Sequence, residues 1–590
     1  MTIAGWLTIV LFAVILTALA LPLGSYMAKV YSGERVFLSP IFGVPERFLY
    51  TLLRVDPKRD QDWKSYAKSL LIFSLAGWVF LYLILRTQDA FFVPHGLNPL
   101  GYHSAPWNVT FNTVSSFVTN TNWQYYSGET TMSYLSQMIG LTVQNWLSAG
   151  IGIVVAVALV RGIIGRSGKG IGNFWQDLVR TILYVLAPIS VLGAIVLVSQ
   201  GVIQNFSSYL SAHTITGLSQ SIAMGPVASQ EAIKMLGTNG GGFFNVNSAH
   251  PFENPTAFTN LFEMLLVLII PAALVFMYGR MTGNRRQGYA IYTAMMLMFL
   301  GAVIVAYIAE AHGSPAQHAA GLHTQAISGS GGGNMEGKEQ RFGIAGSALF
   351  DVVTTVTSCG AVNSAIESFT GIGGAVPMAN LSASEVIFGG VGTGLYSMLL
   401  YVLLAVFIGG LMVGRTPEWL GKKLEAREIK LAGLGILITP LAALFCTAMA
   451  TASHAGRASI STLGKGPQGF SETFYAYLSQ ANNNGSAFAG YTGFIQPNAG
   501  NAGSHGVTFA DLLGGFDMLF ARYAPILFAL AVAGALAGKR VTPGGLGTMR
   551  TDNPTFVVLL IGVIILVGAL TFFPAMLLGP VVQGLTGHLY

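Results

Sequence analysis

Long apolar runs alternate with polar loops along this chain of 590 residues. Ten of the runs are near or above the roughly 20 residues that a helix needs to cross the hydrocarbon of a bilayer. They lie at 3–25, 66–88, 133–160, 178–200, 256–279, 289–309, 393–414, 429–452, 516–537 and 554–580. The pattern predicts an all-α polytopic membrane protein with about ten transmembrane helices.

The composition supports this fold class. Charged residues make up 9% of the chain, against about 25% in typical soluble proteins, and the mean hydropathy is +0.59. So few charges do not cover the surfaces of the several soluble domains that the length alone would suggest. The 73 glycines lie among apolar residues, which excludes disordered and collagen-like chains. Two cysteines provide neither a disulfide framework nor a metal cluster.

The basic residues are concentrated in alternate loops. Of the 30 Lys and Arg, 22 lie in segments 29–64, 161–180, 280–286, 415–430 and 539–550, whereas residues 89–132 contain none. Because basic loops stay on the cytoplasmic side, we expect both termini to lie outside. The net charge of +6 is therefore a topology signal, and nucleic-acid binding is not expected. Residues 1–6 carry no Lys or Arg, so a signal peptide is not expected either.

A small polar tetrad recurs at nearly constant spacing in the long outer loops, each time after a short helix-compatible segment. The four copies are Thr119-Asn120-Thr121-Asn122, Thr238-Asn239-Gly240-Gly241, Thr357-Ser358-Cys359-Gly360 and Asn482-Asn483-Asn484-Gly485. Their first residues are separated by 119, 119 and 125 positions. The repeat predicts four membrane-pore-membrane units around a pseudo-fourfold axis, with one extra helix at each end. We expect the first helix and its loop in 1–62, the repeats in 63–160, 161–280, 281–414 and 415–540, and the last helix in 541–590.

The residue types of the tetrads indicate what such a pore binds. They provide carbonyl and hydroxyl dipoles without any Asp or Glu, and this arrangement replaces the hydration shell of a monovalent cation such as K⁺. Gly240, Gly241, Gly360 and Gly485 are expected to adopt positive φ angles, so that successive carbonyls point inward. The half-helices add the negative ends of their dipoles at the same place. The tetrads therefore predict a potassium-type selectivity filter.

Longer runs around the tetrads resemble the signature segments of the KdpA family, the potassium-binding subunits of bacterial Kdp pumps. They read FVTNTNWQ at 117–124, GTNGGGFFN at 237–245, TSCGAV at 357–362 and NNNGSAFAG at 482–490, and segments 224–234 and 414–418 agree. The resemblance covers essentially the whole chain. It implies a multi-pass protein of the bacterial inner membrane that captures external K⁺ and passes it through a lateral tunnel to KdpB, the P-type ATPase subunit, in a complex with KdpC and KdpF.

This chain itself contains no sequence for energy conversion. The Asp-Lys-Thr-Gly phosphorylation sequence of P-type ATPases is absent. We therefore expect a non-catalytic subunit with no cofactor of its own and K⁺ as its transported ligand. Two alternatives stay open: a self-sufficient K⁺ channel or symporter of the same superfamily, and an assembly subunit whose filter no longer conducts.

A few residues beside the tetrads are further candidates. Gln124 and Gly242 are assigned to filter support, and Lys234 is expected in an ion pair with Glu231 or another carboxylate. Glu385 and Arg522 are charges within or at the ends of spans, where each costs at least about 2.5 kcal/mol at the bilayer centre. Their positions predict a gate or tunnel, with Arg522 as a cation barrier below the filter and Glu385 beside the ion path. The alternative is that Arg522 snorkels or forms a structural pair, for which Glu385 is one candidate partner. The closely spaced glycines at 389, 390, 392 and 394 predict a bent or broken segment, which serves either as a gate or tunnel mouth or for close helix packing.

Overall fold

The computed structural model describes residues 1–166, 168, 170–322, 324–325, 332–412, 414, 417–493, 508–541 and 549–585. The basic residues Lys169 and Arg415 lie outside these residues. In chain order the α-helices are α1 (Ile3–Ser32), α2 (Ser39–Leu52), α3 (Trp63–Arg86), α4 (Trp107–Val118), α5 (Gly128–Thr131), α6 (Val143–Ile164), α7 (Phe174–Arg180), α8 (Ala187–Ser199), α9 (Val227–Leu236), α10 (Ala257–Met281), α11 (Arg285–His312), α12 (Pro315–Ala319), α13 (Gly343–Thr355), α14 (Gly371–Ser382), α15 (Thr393–Met412), α16 (Ala426–Ala452), α17 (His454–Ser459), α18 (Pro467–Ala481), α19 (Phe509–Ala537), α20 (Pro554–Met576) and α21 (Val582–Leu585).

The described residues also contain three short antiparallel pairs of strands. They pair β1 (Leu210–His213) with β2 (Ser219–Ile222), β3 (Glu418–Trp419) with β4 (Lys422–Lys423), and β5 (Ser461–Thr462) with β6 (Tyr491–Thr492). All of these strands lie in loops between helices.

Ten helical segments of the described chain are long and apolar enough to cross a membrane, and each overlaps one predicted run. Three of them include a π-helical stretch, at Ser136–Thr142 before α6, at Thr181–Leu186 between α7 and α8, and at Leu577–Val581 between α20 and α21. Side-chain caps define several starts, since Asp62 accepts from the Ser65 amide at α3 and Asn553 from the Phe556 amide at α20. The prediction of ten spans is confirmed.

Four shorter helices end at the tetrads. Helices α4, α9, α13 and α18 contain 12, 10, 13 and 15 residues, too few to cross the bilayer. Each ends either directly before the first residue of a tetrad or one residue earlier, with most of its side chains buried. The negative ends of four helix dipoles therefore lie next to the tetrads.

The third unit departs from the predicted span. Glu385 and the glycines that follow it were expected in one helix, but α14 ends at Ser382, residues 383–392 are not helical, and α15 begins only at Thr393. Backbone φ is positive at Ser384, Glu385, Phe388, Gly389 and Gly392, with values of 56°, 61°, 131°, 62° and 91°. A right-handed helix does not continue through such angles, so the bent or broken segment that the glycines predict is a break, and Glu385 lies inside it.

The basic loops share one face of the molecule. The Ile171 amide donates to the Gln61 carbonyl at 2.9 Å, and Lys422 Nζ donates to the Gly162 and Leu536 carbonyls at 3.0 and 2.6 Å. Two further contacts connect the remaining basic loops, namely Lys539 with Glu428 at 2.7 Å and Gln287 with Thr551 at 2.8 Å. The basic loops, which alternate with the other loops along the chain, therefore lie on the same face, as the charge pattern predicts.

The main apolar core surrounds α6, α10 and α15. Helix α1 packs along α10, where Gly24 meets the Ala273 carbonyl so closely that a side chain has no room. Helix α19 packs between α6 and α16. These long spans form a wall around the four short helices and hold the tetrads inside it.

Candidate ion-binding site

The four tetrads meet at one place. A methyl group added to Gly240 would lie 2.6 Å from the Thr121 carbonyl oxygen, 2.7 Å from that of Asn484 and 2.9 Å from the Gly360 Cα. These atoms belong to the other three tetrads, so one small residue touches them all. The tetrads are buried, with side-chain-bearing residues at most 2% exposed.

Hydrogen bonds join neighbouring tetrads into a closed ring. Each contact runs from a side chain of one unit to an oxygen of a neighbouring unit. The four contacts are Asn120 Nδ2 to the Thr238 carbonyl at 3.0 Å, Cys359 Sγ to the Asn239 carbonyl at 3.1 Å, Asn484 Nδ2 to the Thr357 carbonyl at 2.7 Å, and Asn483 Nδ2 to Thr121 Oγ1 at 2.9 Å. Units one, two, three and four therefore follow one another around the ring in chain order.

The predicted role of the tetrad glycines is wrong in three of four cases. Only Gly485 has a positive φ, of 98°, whereas Gly240, Gly241 and Gly360 do not. The left-handed conformation falls instead on Asn120, Asn122, Thr238 and Asn483, with φ of 72°, 58°, 50° and 51°. Asparagine tolerates this region because its short polar side chain forms local hydrogen bonds. The other glycines are needed for close approach, since a Cβ at Gly360 would overlap the backbone of Gly485.

Helix α6 supports the tetrads with two polar side chains that the sequence reasoning missed. Asn145 accepts from Asn122 Nδ2 at 2.7 Å through its side chain, and from Asn239 Nδ2 at 3.0 Å through its carbonyl. Ser148 Oγ donates to Asn120 Oδ1 at 2.7 Å. The sequence signal that could have identified them is the presence of polar residues in an otherwise apolar span, because polar groups inside a membrane need hydrogen-bond partners.

Gln124 and Gly242 join the first two units. Gln124 Nε2 donates to the Gly242 carbonyl, and the Gly242 amide donates to Gln124 Oε1, both at 3.2 Å. The Gln124 side chain therefore pairs with the backbone of Gly242 through two hydrogen bonds, as a residue of a neighbouring β-strand would, although the two residues are 118 positions apart in sequence.

A cavity of about 470 Å³ opens beside the tetrads. Its wall includes Asn122, Gly240, Gly360 and Gly485, one residue from each tetrad, together with Gln124. Aromatic rings of Trp123, Tyr125, Tyr126 and Tyr491 complete part of the wall. The tetrads are thus reached through a shared vestibule.

Arg522 lies beyond the tetrads, in the middle of α19, and is 3% exposed. Its Nη1 donates to Thr393 Oγ1 at 2.8 Å, at the start of α15. Arg522 and Glu385 form no salt bridge with each other in the described structure, so the direct structural pair is not present. Glu385 is 8% exposed, and its Oε2 has no hydrogen-bond partner among the described residues.

A narrow cavity of about 20 Å³ lies between the break and the fourth tetrad. Glu385, Thr393 and Asn483 line it, together with Ala521 and Pro525 on either side of Arg522. The break in the third unit therefore forms one wall of the space next to the fourth tetrad.

Lys234 forms the expected ion pair with Glu231, at 2.6 Å, and a second one with Glu253, at 2.9 Å. All three side chains are at most 1% exposed. Glu253 was not predicted, because it lies 19 residues further along a loop and nothing local indicates the contact.

Comparison with known proteins agrees with this geometry. Residues 10–585 match the family model described as KdpA, potassium-transporting ATPase A subunit. Proteins named potassium-transporting ATPase potassium-binding subunit are 52% identical in Mesorhizobium japonicum (99% of both chains), 53% in Methylobacterium nodulans (100% of this chain and 98% of the relative) and 52% in Granulibacter bethesdensis (100% of both).

The fold is also similar to a solved structure. The crystal structure of the potassium transporter TrkH from Vibrio parahaemolyticus aligns with a TM-score of 0.50 at 15% identity, over 88% of this chain and 97% of TrkH. At this identity the likeness concerns the fold alone. The family match over nearly the whole chain is the stronger result, and the protein belongs to the KdpA family of potassium-transporting ATPase A subunits.

Proposed function

We propose that the ring of tetrads is a selectivity filter that binds external K⁺, and that this chain delivers the ion to a P-type ATPase partner for ATP-driven import. The observation that carries the proposal is the closed ring of hydrogen bonds among the four tetrads. Such a ring fixes the carbonyl and hydroxyl oxygens before the ion arrives. The partner is KdpB, with KdpC and KdpF as further subunits of the complex.

The chemistry of the ring favours a monovalent cation. Its oxygens are neutral, and none of the sixteen tetrad residues is Asp or Glu. Rings of carbonyl oxygens replace the hydration shell of K⁺, whereas cation channels that rely on charge use rings of carboxylates. Four half-helix C-termini add a favourable potential without introducing a formal charge.

Energy considerations support an ATPase partner. Concentrating K⁺ a thousandfold costs about 4.1 kcal/mol, by the conversion of a ratio into free energy. A potential of 100 mV, negative inside, returns only about 2.3 kcal/mol per charge. High-affinity uptake from scarce K⁺ therefore needs another source of energy, and this sequence contains no phosphorylation motif.

We infer a lateral exit from the filter. Arg522 places a buried positive charge beyond the tetrads, which opposes the passage of a cation straight through. The narrow cavity beside it reaches Glu385 in the break of the third unit, where a carboxylate attracts a cation. The ion therefore leaves sideways along the break toward the ATPase subunit.

The orientation follows from the charge pattern. The face that carries the basic loops is cytoplasmic, both termini lie outside, and the vestibule opens to the exterior of the bacterial inner membrane. We assign the four repeats to 63–160, 161–280, 281–414 and 415–540, so that each contains one half-helix and one tetrad.

Reconstitution in liposomes tests the proposal. The chain alone is compared with the complete complex, and K⁺ uptake is measured with and without ATP. We expect ATP-dependent uptake by the complex and none by the chain alone. Uptake by the chain alone would instead identify a self-sufficient channel or symporter. A complex that hydrolyses ATP and takes up K⁺ unchanged after disruption of the tetrads would identify a non-conducting assembly subunit.

A further inference from the structure

A buried ionic cluster lies directly behind the second filter segment. Lys234 Nζ is 2.6 Å from Glu231 and 2.9 Å from Glu253, and Lys234 projects from the half-helix α9 that precedes the tetrad. Glu263 of α10 is fully buried as well, and neither of its carboxylate oxygens has a hydrogen-bond partner among the described residues. The site thus contains one ammonium group, that of Lys234, and the carboxyl groups of three glutamates.

The cluster touches the chain immediately after the tetrad. Glu253 Oε1 accepts a hydrogen bond of 2.8 Å from the Phe244 amide. A methyl group on Gly242 would lie 2.8 Å from Lys234 Nζ and 2.9 Å from Glu253 Oε1. Residues 242–244 therefore lie against the ion pair, and a side chain at Gly242 would displace the ends of Lys234 and Glu253.

Gly242 is held from the opposite side as well. Gln124 of the first unit makes its two hydrogen bonds of 3.2 Å to the backbone of Gly242. The residue after the second tetrad is thus fixed between a neutral amide and an ionic cluster. A shift of the cluster would move Gly242 and the carbonyls of the tetrad that precedes it.

Stability alone does not account for an ionic group at this position. Replacing a buried ion pair by apolar residues of similar volume is often neutral or stabilising. The segments after the first and fourth tetrads use neutral groups, since Ser116 Oγ donates to the Trp123 carbonyl at 3.1 Å and the Tyr475 hydroxyl bonds Ser486 Oγ at 2.7 Å. What the pair provides at the second tetrad is a strong and directional attachment of the backbone.

We propose that Lys234 and Glu253 are positioning residues that set the K⁺ affinity and ion discrimination of the filter through the second tetrad. The inference rests on the proposed function, because it assumes that the tetrads bind K⁺. The two residues act through Gly242 and Phe244 and do not touch the ion.

The test uses the complete complex with its ATPase subunits. ATP hydrolysis is measured while K⁺, Rb⁺ or Na⁺ is titrated, for Lys234→Met, Glu253→Gln and Glu253→Ala. Loss of a group that orients a metal ligand commonly weakens metal binding about 10- to 100-fold, and we expect a half-saturating K⁺ concentration raised by a factor in this range. The ratio of Rb⁺ to K⁺ activation should rise, while the maximal rate at saturating K⁺ stays near that of the wild type.

The two Glu253 variants distinguish the loss of the negative charge from the loss of the hydrogen bond to the Phe244 amide. Glu253→Gln retains an oxygen that accepts from the Phe244 amide, so its effect on half-saturation should be smaller than that of Glu253→Ala. Arg161→Met is the matched control, since it removes the 2.6 Å pair with buried Asp177 on the basic face. Its half-saturating K⁺ concentration should equal that of the wild type.

Variants that lower only the unfolding temperature, with wild-type half-saturation and ion ratios, would show a merely structural role and overturn the inference. If Lys234→Met does not assemble, Glu253→Gln and Glu253→Ala decide the question. A wild-type complex without K⁺-dependent hydrolysis would refute the proposed function itself. Normal K⁺ dependence in both the wild type and Glu253→Ala would refute only the role of the ion pair.

Discussion

Replacing Gly240 by alanine should damage the proposed filter, because the added methyl group has no room among the other three tetrads. The new Cβ would lie 2.6 Å from the Thr121 carbonyl oxygen, 2.7 Å from that of Asn484 and 2.9 Å from the Gly360 Cα. All three are backbone atoms of other tetrads, so no flexible side chain can move aside. The φ angle at Gly240 is not positive, and the effect therefore comes from space rather than from backbone strain.

The size of the effect follows from overpacking. Forcing an extra methyl group into a well-packed region costs typically about 1–3 kcal/mol. If this cost is relieved by displacing the carbonyls that face the ion, it appears as weaker K⁺ binding. At about 1.4 kcal/mol per factor of ten, the expected loss of affinity is roughly 5- to 150-fold.

The assay is ATP hydrolysis by the purified complex as a function of K⁺ concentration, repeated with Rb⁺ and Na⁺. Gly433→Ala in α16 is the control, because no heavy atom lies within 4 Å of its added Cβ. Alanine is favoured over glycine in a helix by about 1 kcal/mol, so the control should fold at least as well as the wild type. A Gly240→Ala complex with wild-type half-saturation and ion discrimination would refute the filter geometry.

Three further predictions concern the same path. Gly241→Asp places a carboxylate where a Cβ is already 2.9 Å from the Asn122 carbonyl oxygen, and it should weaken K⁺ affinity or relax discrimination against Rb⁺ and Na⁺; unchanged uptake kinetics would count against the filter. Arg522→Ala removes the buried positive charge and should produce an ATP-independent K⁺ leak in liposomes or uncouple hydrolysis from transport, whereas wild-type coupling would reject the barrier. K⁺ at 100 times its dissociation constant should stabilise the complex by about 2.7 kcal/mol, seen as a higher unfolding temperature that choline does not reproduce; equal temperatures would contradict ion binding in the folded state.

The location of the tetrads was predictable because their spacing and the apolar runs repeat together. Four segments that follow equivalent half-helices must meet if the units surround one axis. The bonds that close the ring were not predictable, since Asn120 finds its acceptor 118 residues away at Thr238. Such a contact depends on the packing of two units and leaves no pattern within either one.

The glycines illustrate the same limit. A glycine in a sequence indicates either a positive φ angle or a close approach of another part of the chain. The sequence does not distinguish the two, because the residues that pack against the glycine are not known from it. At Gly240 and Gly360 the reason is close approach, whereas Asn120 and Asn483 adopt the left-handed conformation. The glycines after Glu385 correctly indicated an interrupted helix, but the length of the break depends on what its backbone contacts.

Those contacts explain why the break is stable at membrane depth. Unpaired backbone groups there cost several kcal/mol each, so a break persists only where other groups satisfy them. The Gly389 amide donates to the Val356 carbonyl at the end of α13 at 2.8 Å, and the Val391 amide donates to Thr238 Oγ1 at 3.1 Å. Both acceptors lie at or beside tetrads, so the tetrad region itself replaces two of the missing helical bonds. If the ion leaves by the proposed lateral path, a movement of the break that opens this path has to release these two bonds. The proposed exit is therefore connected physically to the proposed filter.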